Sequence, residues 1–335
     1  MDEQRDAPSA AAGAAGVEPD FEDIRLRWDA AMRRGDFEAA WRQTDRIEAP
    51  RRARQRAPGF LREPQHLIWN GEPFEDRDVL VRCEHGLGDT LQFIRYVPLL
   101  RQRARSVTVL VQPALLTLLD GADEFGDIRD GWSDASPPPH DVEIEVMELP
   151  YALRSTAQSV PATIPYLPVD AIRARAAQLP GIERDGALKV GLVWAASDWD
   201  RTRSIPLDAL APLGRVPGVR FYSLQQGEQA AAYADAPFAI EPYSTHTGEI
   251  AAAAAAMLEL DLVITVDAMA AHLAGALGRP VWALLKHRAD WRWMDAVPRS
   301  PWYPTMRLFR QVREGDWSAV ADAAAEALGR TAAQR

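Results

Sequence analysis

Cysteine is nearly absent from this sequence of 335 residues, which contains only Cys83. A single thiol excludes a disulfide framework and a metal site built from clustered cysteines. Because Cys83 lies in a short apolar run, we expect a small buried side chain there. The sequence also lacks any run of about 18 uncharged apolar residues, which excludes a hydrophobic membrane-spanning helix.

A basic charge excess is missing too. The formal net charge is −10 at pH 7, which argues against a general nucleic-acid binder, since that class presents a net basic face. The N-terminus is acidic and rich in Ala and Gly, without the basic segment and apolar core of a secretory signal. We therefore expect a cytoplasmic protein. Its composition, 47% apolar and 26% charged, is that of a globular chain long enough for two domains.

The common phosphate-binding motifs are absent as well. Neither G-x-G-x-x-G nor a P-loop lysine follows the first strand pattern. Asp198 and Asp200 have the spacing of a divalent-metal pair, but they sit among arginines and are interpreted as part of a loop. No metal site and no bound cofactor is expected.

The most informative motif present is Glu84-His85-Gly86-Leu87-Gly88-Asp89-Thr90. It follows an apolar run at 79–83 and opens an amphipathic segment at 91–100, which indicates a strand, a glycine turn and a helix. Two glycines allow a sharp turn and the close approach of a ligand. Such a turn lies at the carboxyl end of a strand, where open α/β sheets bind ligands. Asp89 is predicted to take a proton from a hydroxyl group, with a simple helix cap as the alternative.

The N-terminal segments differ in character from the rest of the chain. Residues 1–19 lack periodicity and are predicted to form a disordered tail. Residues 20–65 are predicted to form a helical hairpin and connector, because apolar residues recur at helical spacing on both sides of a break at 34–40. This break resembles the turn of a tetratricopeptide repeat, although a solenoid needs about three repeats. We expect the hairpin to pack on the main domain, and the basic connector at 49–65 to be irregular.

From residue 66 onward, strand and helix patterns alternate. Near-continuous apolar strands indicate parallel sheets with helices on both faces. The prediction is an α/β fold with two doubly wound Rossmann-like domains facing a cleft, at 66–168 and 169–310. Residues 311–335 are predicted to contain a helix that packs back on the N-terminal domain. Strands are expected at 79–83, 107–111, 142–146, 189–194, 219–224, 261–266 and 280–285, and helices at 113–119, 170–178, 207–213, 228–234, 248–258 and 268–277.

Polar groups follow three strands of the second predicted domain. They occupy the segments 194–206, 223–228 and 267–272. Asp267 is predicted to cap a helix whose exposed amides favour a diphosphate. Arg201 or Arg203 can pair with that anion. The segments therefore predict a site for a nucleotide-linked donor.

The candidate residues fall on two sides of the predicted cleft. Those expected to bind the donor are Gly88, Trp194, Ser197, Arg201, Arg203, Gln225, Glu228, Asp267, His272 and Lys286. Those expected on the acceptor side are Glu84, His85 and Gln92. Two alternatives stay open, namely His272 as a packed helix residue and Lys286 as a surface lysine. The tryptophans at 291–302 are expected to pack the C-terminal part onto the first domain rather than to stack a base.

As an ordered set, a series of segments between roughly residues 66 and 330 resembles glycosyltransferase family nine. This is the ADP-heptose transferase family, and the resemblance is to its branch fused to tetratricopeptide repeats. No single segment is specific, but their order is. The segments are Gly86-Leu87-Gly88-Asp89-Thr90-Leu91-Gln92-Phe93, Val190-Gly191-Leu192-Val193-Trp194, Arg203-Ser204-Ile205-Pro206-Leu207, Ser223-Leu224-Gln225, Val263-Ile264-Thr265-Val266-Asp267, His272-Leu273-Ala274-Gly275-Ala276-Leu277-Gly278, Asp290-Trp291-Arg292-Trp293 and Ser300-Pro301-Trp302-Tyr303-Pro304.

The resemblance implies a bacterial glycosyltransferase of the two-domain B type, in which the first domain faces the acceptor and the second binds a nucleotide-sugar. Asp89 matches the base that activates the acceptor hydroxyl. Arg203 matches a lysine that contacts the donor diphosphate, and Asp267 matches an aspartate that contacts the sugar or phosphates. The implied reaction is a metal-independent single displacement with inversion, from an ADP-linked, heptose-like donor to a saccharide or protein hydroxyl.

Departures from the family pattern keep other functions open. Ala268 stands where the branch usually has a threonine, and Ala196-Ser197 replaces Gly-Asn. One alternative is a nucleotide-sugar epimerase of the same fold. Another is a catalytically decayed scaffold or binding protein. The sequence predicts no nucleic-acid partner and leaves peripheral membrane contact and self-association open.

Overall fold

The first helices of the computed structural model form an antiparallel pair at the N-terminus. Helix α1 (Phe21–Arg33) packs on α2 (Phe37–Gln55). Gly35, with φ +75°, makes the tight turn between them. The structure describes residues 20–55, 67–176, 179–182 and 185–334. The predicted disordered tail at 1–19 lies outside the described residues, and so does most of the predicted connector.

Helix α2 continues beyond the expected end of the hairpin. Residues 49–55 are helical, so the expectation of an irregular connector is wrong for this stretch. Pro50 lies inside the helix. The Arg51 Nε donates to the Glu48 carboxylate at 2.8 Å, one turn earlier, and such pairs support a helix. Alanine and arginine at the neighbouring positions are strong helix formers, which offsets the cost of the proline.

A four-stranded parallel sheet lies in the first half of the chain, in the order β3-β2-β1-β4. Its central strands are almost entirely buried, as expected for a sheet covered on both faces. The strands are β1 (Asp78–Arg82), β2 (Ser106–Val111), β3 (Asp127–Asp130) and β4 (Val142–Glu145), and the helices are α3 (Leu87–Phe93), α4 (Val97–Arg101), α5 (Pro113–Leu119) and α6 (Leu149–Ala152).

A five-stranded parallel sheet lies in the second half, in the order β6-β5-β7-β8-β9. Both sheets grow outward from an early strand in two directions, which is the doubly wound α/β arrangement. The strands are β5 (Leu188–Val193), β6 (Val219–Ser223), β7 (Leu262–Val266), β8 (Val281–Leu285) and β9 (Met306–Arg310), and the helices are α7 (Val169–Ala176), α8 (Ile250–Glu259), α9 (Met269–Ala276) and α10 (Ser318–Ala333).

The structure departs from the expected elements in four places. Strands β3 and β9 were not predicted, because charged residues interrupt both and neither forms a continuous apolar run. The helices expected at 207–213 and 228–234 are 3-10 segments. In the first of these, Pro212 lacks the amide donor that the interior of an α-helix needs.

The C-terminal helix α10 packs on the second half, not on the N-terminal domain as predicted. Val320, Ala324 and Leu328, one helical turn apart, join a core cluster with Leu188 and Trp282 of the second sheet. The apolar stripe of α10 therefore completes the core beside its own preceding strand, β9.

Aromatic side chains join the two halves and the N-terminal helices. Trp291 and Trp302 from the second half lie against Phe93 of the first, with ring centroids 6.3 Å and 5.8 Å away. Trp28 of α1 packs edge-on against Trp291 at 5.3 Å, and Phe37 of α2 stacks on Trp302 at 5.6 Å. The tryptophans thus have the packing role expected of them.

The N-terminal helices also make polar contacts with both halves. The Trp41 indole N–H donates to the Ser155 carbonyl at 2.6 Å in the first half. The Asp295 amide of the second half donates to the Arg33 carbonyl at 3.0 Å. Gly35 lies close to the side chain of Met294, since a Cβ there would be 3.3 Å from the sulfur. The helix pair is therefore docked on the main body, as the sequence led us to expect.

Candidate active-site cleft

A cleft of ≈ 1400 Å³ is lined by residues of both halves. The first half contributes the turn at 86–89, and the N-terminal helices contribute Arg33. The second half contributes loops that follow β5, β6, β7 and β8. All ten residues predicted on the donor side line this cleft, and so does Asp89.

The cleft lies where the strand order of each sheet reverses. In the second sheet this point falls between β5 and β7, and in the first between β1 and β4. Chains leave such neighbouring strands in opposite directions, which opens a crevice at their carboxyl ends. The loops at 194–206 and 267–269 border one crevice, and the turn at 84–90 borders the other.

Arg203 spans the crevice of the second sheet. Its Nη1 donates to the Asp267 carbonyl at 2.9 Å, its Nη2 to the Ser197 hydroxyl at 3.1 Å, and its Nε to the Asp200 carbonyl at 3.3 Å. Its guanidinium lies over the Trp199 ring, 4.5 Å from the centroid. In the described part of the chain it forms no ion pair, so its charge is available to an anionic ligand.

The loop that carries Arg203 is fastened to the neighbouring strand end. Lys286, just after β8, donates to the Asp200 carboxylate at 2.6 Å and to the Thr202 hydroxyl at 3.0 Å. Arg201 pairs with Asp198 at 2.8 Å on the exposed side. Lys286 and Arg201 line the cleft as predicted, but each is already engaged by a loop carboxylate.

Gln225 has a structural role at the base of this loop. Its Oε1 accepts from the Trp194 and Ala195 amides at 3.0 Å and 2.8 Å, and its Nε2 donates to the Ala195 and Gln226 carbonyls. Gln225 and Trp194 are buried. They therefore shape the cleft wall, whereas Glu228, which is exposed, is accessible to a ligand from the same wall.

Asp267 is buried at the end of β7, with 8% of its surface exposed. Burial raises the pKa of its carboxyl to about 6, and the nearby Asp290 carboxylate adds to the increase. The predicted N-cap role is wrong: α9 begins after Ala268, and no side chain caps it. The carboxyl thus titrates close to neutral pH, while the backbone carbonyl of Asp267 holds Arg203.

His272 is a packed side chain that also borders the cleft. Its Nδ1 lies 3.0 Å from the Tyr303 hydroxyl, and its ring stacks on Trp293 with centroids 5.2 Å apart. Burial lowers its pKa well below the ordinary value, so the ring is neutral at pH 7. Both interpretations offered by the sequence therefore describe part of its environment.

Gly88 allows two helices of different halves to touch. A Cβ at this position would lie 2.9 Å from the Cδ2 of His272 and 3.5 Å from the Met269 Cα. Glycine is needed here because α3 packs directly on α9. Its value for ligand approach, which the sequence suggested, is secondary to this contact.

Asp89 faces the cleft from the first half, and its side chain is 27% exposed. Its Oδ2 accepts from the Gly86 amide at 2.9 Å, which caps α3. Its Oδ1 accepts from the Arg292 Nη2 at 2.6 Å. The cap that was considered as an alternative to a catalytic role is therefore present, and it leaves the carboxylate exposed to the cleft.

Arg292 was missed by the sequence analysis. It is buried, it pairs with Asp89 across the two halves, and it pairs with Asp290 at 2.9 Å. Its partner Asp89 is 203 residues away, so no local spacing could indicate the contact. The only signal was its place in the Asp290-Trp291-Arg292-Trp293 segment, which was interpreted as packing.

The predicted acceptor-side residues do not line the cleft. Gln92 is fully buried, and neither end of its side chain has a hydrogen-bond partner among the described residues. It follows Asp89 by almost one turn of α3, but α3 is enclosed by both halves at that point. Glu84 and His85 are exposed outside the cleft, His85 4.0 Å from the Glu145 carboxylate. Gln92 is therefore inaccessible to an acceptor and that assignment is corrected, whereas the acceptor-side roles of Glu84 and His85 stay predictions.

The described residues lack two kinds of feature, a metal-binding cluster and a membrane-spanning helix. No group of three or more histidine, cysteine, aspartate or glutamate side chains there is arranged to hold a metal ion. None of the helices in that part of the chain has the length and apolar character that a bilayer crossing requires.

Comparison with solved structures identifies the fold. The chain aligns with a glycosyl transferase family 9 protein from Veillonella parvula with a TM-score of 0.58 and 12% identity, covering 79% of this chain and 98% of that one. It aligns with Escherichia coli ADP-heptose LPS heptosyltransferase II at 0.56 and 13%, covering 77% and 99%. The E. coli heptosyltransferase WaaC with ADP-2-deoxy-2-fluoro heptose aligns at 0.50 and 13%, covering 76% and 100%.

Sequence comparison gives a curated relative of higher identity. Protein FlbA of Caulobacter vibrioides is 25% identical over 286 residues, which cover 78% of this chain and 48% of FlbA. The chain therefore spans about half the length of the curated relative it matches. No family model matches the sequence. The chain thus shares the fold of the family nine glycosyltransferases, at sequence identities too low to carry over an activity.

Proposed function

We propose that this protein is an inverting glycosyltransferase of the cytoplasm that moves a heptose-like sugar from an ADP-linked donor to a saccharide or protein hydroxyl. One observation carries the proposal: a cation without an ion-pair partner in the described chain, Arg203, and a carboxylate of the opposite half, Asp89, line the same cleft. The shared fold supports it, because in doubly wound folds ligands bind at these strand ends.

The donor side rests on Arg203. Three of its five N–H donors are used within the protein, which leaves two for phosphate oxygens. Arginine pairs well with such oxygens because its planar fork makes two parallel hydrogen bonds. We infer that the negative charge that grows on the leaving diphosphate is met by this guanidinium and by the free amides at the start of α9, without a metal ion.

The acceptor side rests on Asp89. A carboxylate offers about four lone-pair sites, and the Gly86 amide and Arg292 occupy two of them. The acceptor oxygen would attack the anomeric carbon while its proton passes to Asp89. The bond from that carbon to the diphosphate oxygen breaks, and its electron pair leaves with the nucleoside diphosphate. A single displacement of this kind inverts the anomeric centre.

A thermal-shift screen against ADP, UDP, GDP and CMP tests the donor. A ligand at a hundred times its dissociation constant stabilises the fold by about 2.7 kcal/mol, which is measurable. We expect ADP to stabilise the wild type and Arg203→Ala to lose the effect. Arg129→Ala is the matched control, because Arg129 is an exposed arginine paired with Asp127 in β3, outside the cleft. It should keep the full shift.

Each outcome of the screen has a meaning. Stabilisation by another nucleotide would keep the transferase and replace the donor. A shift that survives in Arg203→Ala would place the diphosphate elsewhere in the cleft. No shift with any of the four nucleotides would overturn the proposal.

A second candidate, a nucleotide-sugar-binding protein without turnover, has one observation in its favour. Both oxygens of Asp89 already accept hydrogen bonds, one from the Gly86 amide and one from the buried Arg292. Ala268 also removes a hydroxyl beside the donor. Donor binding without release of nucleoside diphosphate in the presence of acceptor mixtures would favour this candidate.

A further inference from the structure

The loop after β5 carries an aromatic side chain that the proposed reaction does not yet use. Trp199 lines the cleft and is 78% exposed, the largest exposed fraction among the large apolar side chains described. Exposing an indole so fully forgoes favourable burial. Tryptophan can also bind a cation or a ring through the face of its indole.

The indole face is already occupied on one side. The Arg203 guanidinium carbon lies 4.5 Å from the Trp199 centroid, well within the distance over which the ring quadrupole attracts a cation. The contact restrains the plane of the guanidinium. In that plane lie the two N–H donors that the Ser197, Asp200 and Asp267 contacts leave unused.

The residues on either side of Trp199 are held by ion pairs and hydrogen bonds. Asp200 and Thr202 are fixed to Lys286, and Asp198 is paired with Arg201. The two carboxylates that flank Trp199 are thereby neutralised by other cations and drawn away from Arg203. The aromatic face thus adds to the three hydrogen bonds that orient the Arg203 guanidinium.

We propose that Trp199 is a positioning residue that holds the Arg203 guanidinium in the plane required to grip the donor diphosphate, rather than a platform that stacks the nucleobase. The inference rests on the proposed function, because it takes Arg203 as the contact for the diphosphate. Trp199 acts through Arg203.

A double-mutant cycle measured by calorimetry tests this coupling. Trp199→Ala should weaken binding of ADP and of inorganic pyrophosphate by about 2- to 5-fold, the range of a cation–π contact at an exposed site. In an Arg203→Ala background, the same change should have no further effect. Trp199→Phe should restore most of the affinity, since it restores a ring face.

Adenosine distinguishes positioning from base stacking. It has no phosphate, so its affinity should be the same in wild type and Trp199→Ala. Trp132→Ala is the matched control, because Trp132 is 69% exposed on the first half and lies outside the cleft. It should bind all three ligands like wild type. Thermal unfolding of each variant verifies the fold.

The outcomes separate this inference from the proposed function. If Arg203→Ala weakens ADP binding and the Trp199 effect is additive to it, or extends to adenosine, the positioning role is overturned while the transferase stands. Unchanged ADP affinity in Trp199→Ala would also overturn the positioning role while the transferase stands. If the wild type binds neither pyrophosphate nor any of the nucleotides ADP, UDP, GDP and CMP, both proposals fail.

Discussion

Two strand-to-helix turns, one in each half, place an aspartate at the edge of the same cleft, yet in opposite surroundings. Asp89 is partly exposed, and its two oxygens accept from a backbone amide and from Arg292. Asp267 is buried, and burial raises its pKa to about 6. The helices behind the two turns touch at Gly88 and His272.

The difference shows that position at a strand end does not by itself decide a role. Asp89 is held in one orientation by two hydrogen bonds and faces the cleft, which suits a base. The surroundings of Asp267 favour a carboxyl that takes up a proton near neutral pH, and its backbone carbonyl holds Arg203. Paired acids with different environments are a recurring arrangement at catalytic sites.

The largest expected effect comes from Asp89→Asn. The amide keeps the shape of the side chain but cannot take the acceptor proton, so turnover should fall about 10²- to 10⁴-fold. Nucleotide affinity should change little, because Arg203 is untouched. Release of nucleoside diphosphate in single-turnover experiments, alongside calorimetric binding, measures both.

The same experiment with Asp267→Asn sharpens the comparison. This variant should keep more of the turnover than Asp89→Asn. A greater loss of turnover in Asp267→Asn would mean that Asp267, and not Asp89, acts as the base.

The next effect is on stability and its dependence on pH. The pKa of Asp267 is raised above its usual 3.8, so the folded state binds that proton more tightly than the unfolded state. Its contribution to the free energy of unfolding is therefore fully present below about pH 4 and is lost as pH rises through about 6. The loss is on the order of 3 kcal/mol.

Asp267→Asn should not show that loss. Relative to wild type, the variant should become more stable between pH 4 and pH 7, as measured by denaturant unfolding at several pH values. Asp198→Asn, a change at an exposed carboxylate of the cleft, is the control and should follow wild type. Parallel pH profiles of Asp267→Asn and wild type would contradict the buried titration.

The contact between the two turns gives a smaller effect. Gly88→Ala places a methyl group 2.9 Å from the His272 ring, and such overpacking costs about 1–3 kcal/mol. Gly329→Ala is the matched control in helix α10, where a Cβ would meet nothing within 4 Å. It should be neutral or stabilising by up to about 1 kcal/mol. Equal melting temperatures for the two variants would mean that α3 and α9 separate readily.

The smallest effect concerns Cys83, at the start of the first turn. Burial raises the pKa of its thiol to about 12, so little reactive thiolate is present at pH 8. An alkylating reagent should leave the native protein unmodified and label it only after unfolding. Rapid labelling of the native protein would indicate that the first turn opens, which would break the picture of a fixed Asp89.

The sequence predicted the elements that depend on local pattern. Apolar runs predicted most of the strands. The polar residues that follow those runs predicted Arg203 and Asp267 as site residues, because parallel strands have their carboxyl ends at one edge of the sheet. Asp89 followed from the glycine turn before its helix. Each of these residues lies next to a local sequence pattern, either an apolar run or a glycine turn.

The sequence could not predict what depends on distant packing. Arg292 reaches Asp89 across 203 residues. Gln92 looked accessible because it follows Asp89 on α3, but the second half encloses that helix. Helix α10 was placed on the wrong half because its apolar stripe fits either core. Nothing in the local sequence indicated that Trp199 contacts Arg203.

The docking of the N-terminal helices has a consequence for how the chain is made. Arg33 contacts Asp295, 262 residues later, and ribosomes add about 5–20 residues per second. Helices α1 and α2 therefore emerge on the order of 10 to 50 seconds before the partners that they have in the second half. During that time the faces of Trp28 and Phe37 that pack on Trp291 and Trp302 stay uncovered, and we expect a chaperone to hold the nascent protein there.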